Sequence, residues 1–462
     1  MVVPTMTRNR LAGHARACAV AAALLGAAVA SSTVPADAGG PARAIERTFF
    51  GLHIFLPRQI PQWPDVGFGT WRLWDTAGTT WTAINPQRDR WNFDALDDAV
   101  ARAERGGVDA LLTLGQTPRW ASSDPDRPGP HGAGSSAPPR DIADWVRYVE
   151  VVALRYKGRI RAYEIWNEPR IAGLDRRHDS QFFHGSAADL VALTKAAQEV
   201  IKRVDPQALV ASPGFDGEEL GERRVAAYFE AGGLCCFDVM SMHFYPHSAD
   251  IAPETLPRRV ARLRALMARH GVNRPIWNTE FGYLHAQAGA DVRPLQPSGF
   301  LSVVLPPDLA RAYLLRSFIL GAGAGIERFY WFAWDAHSAG LISARPNRRP
   351  TSAAAAYRSL VDWLVGGRVS ECGNAGARWE CRYQGPLTCN GRILWTTEDA
   401  WVAAIPPPFT RLRHVGGAVD DDIRGGVVRI GREPLLVHAG APASPECQRS
   451  ERDGSNARIT RD

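Results

Sequence analysis

IRAYEIW (160–166), AADLVALTKAAQEVIKRV (187–204) and ALVASP (208–213) follow one another along the chain, and their succession decides the fold. The first and last are short runs rich in apolar, aromatic or β-branched residues, as in buried strands. The middle run carries apolar residues three and four positions apart with polar ones opposite, which is the pattern of an amphipathic helix. A strand, a helix and a second strand in that order imply a parallel pair joined by a right-handed crossover.

The same alternation extends in both directions. Strands are expected at FFGLHIF (49–55), GTWRLW (69–74), DALLTLG (109–115), FDVMSMHF (237–244), RPIWNTE (274–280) and ERFYWFAW (327–334), with a further helix at 141–156. Eight strand–helix repeats over about 320 residues match an α/β chain of the (β/α)8 TIM-barrel type, here spanning 39–366. An open doubly wound sheet would place a glycine-rich phosphate turn after its first strand. Here GLHIFLPRQ follows instead, and GAGAG (321–325) lies before a strand. After a last helix at 351–365 the runs become short and alternating, as in RILWTT, AWVAAIP and GVVRIG, which predicts a small antiparallel β domain over 367–440. Residues 441–462 read as a polar tail. The Pro/Gly/Ser-rich stretch 122–140 is a long loop after the third strand, on the side where barrels carry function.

Composition sets the class. Of 462 residues 45% are hydrophobic and 22% charged, which excludes a disordered chain. Arg8, Arg10 and Arg16 precede the apolar ACAVAAALLGAAVA (17–30), with small-x-small sites at Ala28-Val29-Ala30 and Ala36-Asp37-Ala38. This is the form of a secretory signal peptide over 1–38, and the apolar run is shorter than the ~20 residues a membrane span needs. A secreted or periplasmic protein with no membrane span after cleavage is therefore expected. Cleavage after Ala38 removes three Arg and one Asp and lowers the formal charge from +6 to +4. That is too dilute to indicate a nucleic-acid partner.

In an oxidising compartment Cys372, Cys381, Cys389 and Cys447 read as one or two disulfides. Cys372 with Cys381 is the most local pairing, but four cysteines allow three arrangements. At least one of the adjacent Cys235 and Cys236 is expected to be a small core hydrophobe rather than a reactive thiol.

The chemistry is expected at two strand ends. The fourth strand runs into Trp166-Asn167-Glu168-Pro169, and Pro169 ends it with Glu168 at the rim. The seventh runs through Asn278-Thr279-Glu280. Both carboxylates then stand at the C-terminal face, where barrel enzymes build their sites. Two carboxyls flanking one sugar suit glycoside cleavage, one as acid and the other as nucleophile or base.

WNEP closing strand four and Glu280 closing strand seven resemble glycoside hydrolase clan A. TWRLWD, LLTLGQTPRWAS and YEIWNEP are most similar to family 39 and its bacterial exopolysaccharide-cleaving relatives. The resemblance covers about residues 48–366. It implies a retaining β-glycosidase with Glu168 as general acid/base and Glu280 as nucleophile, their carboxyls ~5–5.5 Å apart. It further implies that Asn167 binds the sugar 2-hydroxyl, that Arg72 keeps the nucleophile ionised, and that Tyr245 hydrogen-bonds it. His53, Trp120, His243 and Trp334 fall where this clan lines the sugar site. Each has a plainer alternative as a structural histidine or a packed aromatic. Period-two alternation turns Trp331 and Trp334 opposite ways and favours Trp334 for the site.

No HExxH or carboxylate-triad spacing joins His53, His243 and His247 into a metal site, and the chemistry requires no cofactor. The expected partner is a carbohydrate and the expected state a monomer. Two rivals share these residues: a transglycosylase, with an acceptor sugar in place of water, and a carbohydrate-binding or assembly factor that no longer cuts.

Overall fold

A computed structural model describes residues 43–440, except 61, 175–181, 288–290, 298, 337, 344–347 and 418–419. The expected signal peptide (1–38) and polar tail (441–462), with Cys18 and Cys447, lie outside the described residues.

Nine parallel strands form the main sheet: β1 (Phe50–His53), β2 (Thr70–Leu73), β3 (Asp109–Leu114), β4 (Ala162–Ile165), β5 (Leu209–Ala211), β6 (Phe215–Asp216), β7 (Met240–His243), β8 (Ile276–Phe281) and β9 (Arg328–Trp331). Their order is β5-β4-β3-β2-β1-β9-β8-β7-β6. β5 and β6 are two parts of one strand position, interrupted by Ser212-Pro213-Gly214, where proline supplies no ladder donor. β4 pairs with β5 and β6 with β7, and a bridge from Ala211 to Val239 ties the two arcs together. The strands therefore run around a ring of eight positions, the (β/α)8 architecture read from the sequence.

Helices α1 (Trp81–Ile84), α2 (Asp94–Gly106), α3 (Ile142–Arg155), α4 (Ala187–Val204), α5 (Glu219–Glu230), α6 (Leu256–Arg269), α7 (Pro307–Gly323) and α8 (Ser352–Leu364) connect the strands. α4 starts on a capping box: the Ser186 hydroxyl accepts from Asp189 N, and the Asp189 carboxylate accepts from Ser186 N. Its Leu190, Leu193, Ala197, Val200, Ile201 and Val204 form the buried stripe. Among the described residues no helix is long and apolar enough to cross a membrane.

Inside the ring, side chains stack in layers set by the two-residue period of the strands. Leu111, Ala162, Ala211, Val239, Trp277 and Tyr330 form an apolar layer. Two positions further along the same strands stand Thr113, Glu164, Ser241 and Thr279, all buried. Together with Arg72 on β2 they form a polar layer above the apolar floor, beneath the mouth.

Beyond α8 the chain forms β10 (Arg368–Ala375), β11 (Arg378–Gly385), β12 (Thr388–Thr396), β13 (Trp401–Ala404), β14 (Arg411–Arg413), β15 (Asp421–Asp422), β16 (Val427–Ile430) and β17 (Leu435–His438). These make an antiparallel six-stranded sheet, β10-β11-β12-β17-β14-β15, and a β13–β16 pair. Cys372 and Cys381 are joined across β10 and β11. Cys389 is also disulfide-bonded. Cys235 and Cys236 are joined to each other, so neither is a free thiol, and only Cys236 is buried.

The strands pack directly on the barrel. Tyr383 Oη donates to Trp363 O at 2.6 Å. Glu254, ahead of α6, accepts from Arg316 Nη1 on α7 at 3.0 Å and from Trp395 Nε1 on β12 at 2.8 Å. Arg316 is fully buried, and removing its carboxylate would leave an unpaired buried cation. Glu254→Ala is expected to lose about 3–5 kcal/mol and several degrees of Tm. The Glu254→Met/Arg316→Met double variant should lose less; thermal melting of both, with equal losses, would deny the pair this role.

Candidate active site

β4 ends at Ile165, and the chain then turns sharply. Trp166 and Glu168 have φ of 66° and 39°, a left-handed backbone uncommon outside glycine. Tertiary contacts impose it. Trp166 Nε1 donates to Phe182 O at 2.6 Å, its ring lies among Trp145 and Phe183, and Glu168 N donates to Gly214 O at 2.8 Å. The aim of Glu168 is thus set by this kink, not by strand alternation alone. A side chain at Gly214 would drive its Cβ to 2.9 Å from His243 Nε2 and 3.1 Å from Glu164 Oε1. On β8, pairing with β9 slips between Asn278 and Phe281, an irregularity that re-aims Thr279 and Glu280.

Arg72 joins the two sides of the mouth. Its Nε and Nη2 donate to Glu164 Oε2 at 2.8 and 2.6 Å, Nη2 to Asn167 Oδ1 at 2.7 Å, and Nη1 to Glu280 Oε2 at 2.8 Å. Tyr245 Oη donates to the other Glu280 oxygen at 3.2 Å. Glu164 also accepts from Thr113 Oγ1 at 2.7 Å and Ser241 Oγ at 2.6 Å. Burial would raise Glu164, but Arg72 and these hydroxyls hold it below the usual carboxylate range.

Glu168 faces His243, with Nδ1 at 3.0 Å from Oε1. Glu168, His243 and Glu280 place one ligand atom each within 4.8 Å of one another, so an oxygen of each glutamate lies no further than that from the other. Such neighbours cannot both carry full charge. Burial, then the Asp216 charge, push Glu168 up to about 7. Burial, then Glu168, raise Glu280 as well, with Arg72 opposing. Arg72 and Tyr245 both donate to Glu280, whereas Glu168 meets one imidazole nitrogen. Glu280 is therefore the ionised member and Glu168 the proton carrier. Burial and then Arg72 push His243 down to about 3, so it is neutral.

Asp216 on β6 accepts from both terminal nitrogens of Arg170, Nη1 and Nη2, accepts from Arg224 Nη1 at 3.1 Å, and lies 4.0 Å from His247. Burial notwithstanding, these cations bring it down to about 2.

The other expected residues are spread more widely. His53 Nε2 bonds Thr279 O at 2.9 Å. Trp334 is buried, and its backbone N–H donates to His53 O at 2.8 Å; Trp331 stacks on Phe318 of α7 instead. Trp120 is directed to the helical layer: its Nε1 donates to Asn85 O at 2.9 Å, Arg88 covers its face and Trp81 meets its edge. The 122–140 loop is folded down, with Thr117 N bonded to Ser135 O and His184 N to Ser136 O. Its His131 meets Trp74, whose ring lies 5.9 Å from the Arg72 guanidinium.

Glu164, Asp75 and Asp216 were not singled out from the sequence. Glu164 had a signal, since a charge inside an otherwise apolar parallel strand demands a buried partner. Asp75, at the end of TWRLWD, had a strand-end position. Asp216 had only its place after a Pro-Gly break. Two donor sets, His53–Asp75–Glu280 and Glu168–His243–Glu280, have cation-like spacing. Both draw on Glu280, which Arg72 already engages, so the mouth carries its own cation.

The fold and the carboxyl pair define a class, the (β/α)8 barrel with two acids at the C-terminal face. Particular solved structures share the fold, and they are glycoside hydrolases of families 39 and 30, within clan A. A family 39 enzyme from the gut symbiont Bacteroides cellulosilyticus WH2 superposes with a TM-score of 0.61 at 16% identity, covering 86% of this chain and 82% of its own. A family 39 β-xylosidase from Caulobacter crescentus gives 0.54 at 13% identity, covering 86% and 97%. A family 30 endoxylanase from Clostridium papyrosolvens C71 gives 0.56 at 12% identity, covering 87% and 98%. No family model and no curated protein matches the chain.

Asp216 raises Glu168, so its removal must lower it, and the Arg170 charge left behind acts the same way. A carboxyl can give a proton only while it holds one, so any activity that draws its proton from Glu168 should fall as pH rises through about 7. In Asp216→Asn that alkaline limb should move to lower pH. A pH–kcat/KM profile identical to that of the wild type would show that Asp216 does not set the proton on Glu168.

Proposed function

We propose that this chain is an exported β-glycosidase that hydrolyses an oligo- or exopolysaccharide with retention of configuration. The observation that carries this reading is the facing pair Glu168 and Glu280, with ligand atoms within 4.8 Å across the mouth. That gap suits retention, because inversion needs ~6.5–9.5 Å to admit a water between carboxyl and sugar. The fold shared with family 39 and 30 enzymes supports glycoside hydrolysis in general.

In the first step Glu168 gives its proton to the glycosidic oxygen as the C–O bond breaks. A Glu280 oxygen attacks the anomeric carbon from the opposite side and forms a glycosyl ester. Arg72 and Tyr245 hold Glu280 charged and aimed until then. Once the aglycone leaves, Glu168 is a carboxylate and takes a proton from water, which displaces Glu280 and regenerates both groups. Arg72 takes the Asn167 carbonyl oxygen, turning the Nδ2–H group away from itself and making it available to a sugar hydroxyl. Neutral His243 steers the Glu168 carboxyl without adding charge.

Glu280→Ala should lower kcat by about five orders of magnitude or more, the scale on which loss of a nucleophile acts. Azide should restore part of it and release a glycosyl azide of inverted configuration, observable by proton NMR. Undiminished hydrolysis without azide would refute the assignment.

Export rests on the N-terminal signature in the sequence. The protein recovered outside the cytoplasm should begin at Ser31 or Gly39 by N-terminal sequencing. An intact Met1 there would rule out cleavage.

A further inference from the structure

Tyr245 stands two residues past the end of β7, where the chain leaves the sheet. Carbonyls beyond a strand end have lost their ladder partners and need donors from elsewhere. Arg259, in the first turn of α6, supplies them. Its Nη1 donates to Phe244 O, and its Nη2 donates to Tyr245 O at 2.8 Å and to Glu218 Oε1. The next carbonyl, of Pro246, accepts from Phe300 N at 2.8 Å. Phe244 N donates to Asn278 Oδ1 on β8 at 3.2 Å. Ser248 Oγ also donates to Glu218 Oε1, at 3.1 Å, so the carboxylate ahead of α5 binds both the arginine and the loop that the arginine holds.

The phenol carried by this loop has little margin. Tyr245 Oη reaches Glu280 Oε1 at 3.2 Å, a long contact for a hydroxyl donor, so a shift of a few tenths of an ångström breaks it. The ring stacks on Phe300 at 3.9 Å and on Phe281 at 5.8 Å, nearly parallel to both. Stacked rings resist tilting more than sliding, because offset arrangements are all favourable. Sliding within the ring plane would carry the hydroxyl toward or away from Glu280. The backbone prevents it, through Pro246, which confines the residue before it to extended conformations, and through the Arg259 fork on two consecutive carbonyls. Burial, then the Glu280 charge, raise the phenol well above its ordinary range, so it stays a donor. A donor to a carboxylate favours the charged form.

We propose that Arg259 is a positioning residue for the nucleophile: by fixing the Phe244 and Tyr245 carbonyls it keeps the Tyr245 hydroxyl on Glu280 and so helps hold that carboxyl ionised. This rests on the glycosidase reading above and extends the site to a helix of the outer layer. Glu280 faces Arg72 from β2, Asp75 just past it, His53 from β1, Glu168 from the turn after β4, and His243 and Tyr245 from β7 and its loop. Arg259 is itself faced by Glu218, by Tyr283 and by Arg258 of its own helix. Those groups are the same with and without the Tyr245 hydroxyl, so a double-mutant cycle on Arg259 and Tyr245 isolates the path between them.

Two measurements read the ionisation of Glu280: the acid limb of the pH–kcat/KM profile, and carbon-13 NMR titration of its carboxyl, assigned with Glu280→Gln, which needs no substrate. Losing a donor raises the proton affinity of the carboxylate. Tyr245→Phe should therefore move both to higher pH by about one unit, the scale of one hydrogen bond to a charged group. Arg259→Met should move them the same way by at least half as much. In the Tyr245→Phe background it should add less than half of that shift, because the hydroxyl it positions is gone. Melting curves establish which variants are folded, and Arg259→Lys, which keeps the charge without the fork, replaces Arg259→Met if that variant does not fold. No shift in a folded Arg259 variant, or one at least half as large in the Tyr245→Phe background, overturns the inference and leaves the glycosidase reading intact. The second result would mean that the Arg259 charge, or general damage to the fold, acts on Glu280 directly. Wild-type silence on aryl β-glycosides and bacterial exopolysaccharide overturns the glycosidase reading instead, while the NMR titration still decides whether Arg259 acts through Tyr245.

Discussion

A single guanidinium organises the mouth of this barrel. Arg72 is fully buried and spans from Glu164 on β4 to Glu280 on β8, taking Asn167 on the way. A charge so deep is tolerable only if it is paired and well hydrogen-bonded. Glu164 meets the first condition permanently, being a buried carboxylate that Thr113 and Ser241 also bond. With Glu164 as fixed counter-ion, the remaining donors of Arg72 are free to orient the groups that act. The fork geometry of arginine is essential here, because a lysine would offer a point charge without fixed directions.

From this pairing follows the inequality between the two glutamates. They stand in nearly the same place and both resist ionisation, yet their neighbours differ. Glu280 has a guanidinium and a phenol donating to it, whereas Glu168 has a neutral imidazole and the unfavourable charge of Asp216 nearby. Two carboxyls whose surroundings separate their proton affinities can divide the roles of acid and nucleophile. Asp216 is itself kept charged by Arg170 and Arg224, so its charge adds to burial in holding the proton on Glu168. The elements around the mouth add walls: the 122–140 loop brings His131 onto Trp74, and Phe300 stacks on Tyr245 at 3.9 Å.

Strand positions were legible in the sequence because parallel strands buried on both faces read as apolar runs, and all eight runs correspond to strand positions. α4 was legible to the residue, since its capping box and stripe are local signals. The two glutamates were legible as strand-end carboxyls, and Arg72 and Tyr245, named from the family resemblance, are the groups that contact Glu280. Glu164, Asp75 and Asp216 were not, because each acquires meaning only from groups on other strands. Trp120 shows the converse. Its place after β3 put it near the rim, but its indole turns to Asn85 and Arg88 in the helical layer.

The sequence by itself determined the alternation of strands and helices, the change to antiparallel strands after α8, and which residue types reach the C-terminal face. Those follow from short-range periodicity and from turn chemistry, which act within a few residues. Only the tertiary structure decided that ring closure brings β2, β4 and β8 together on one arginine. It also decided the left-handed kink that aims Glu168. These depend on distances between residues far apart in the chain, and on the low dielectric of the interior that makes their charges compete. No local pattern encodes either.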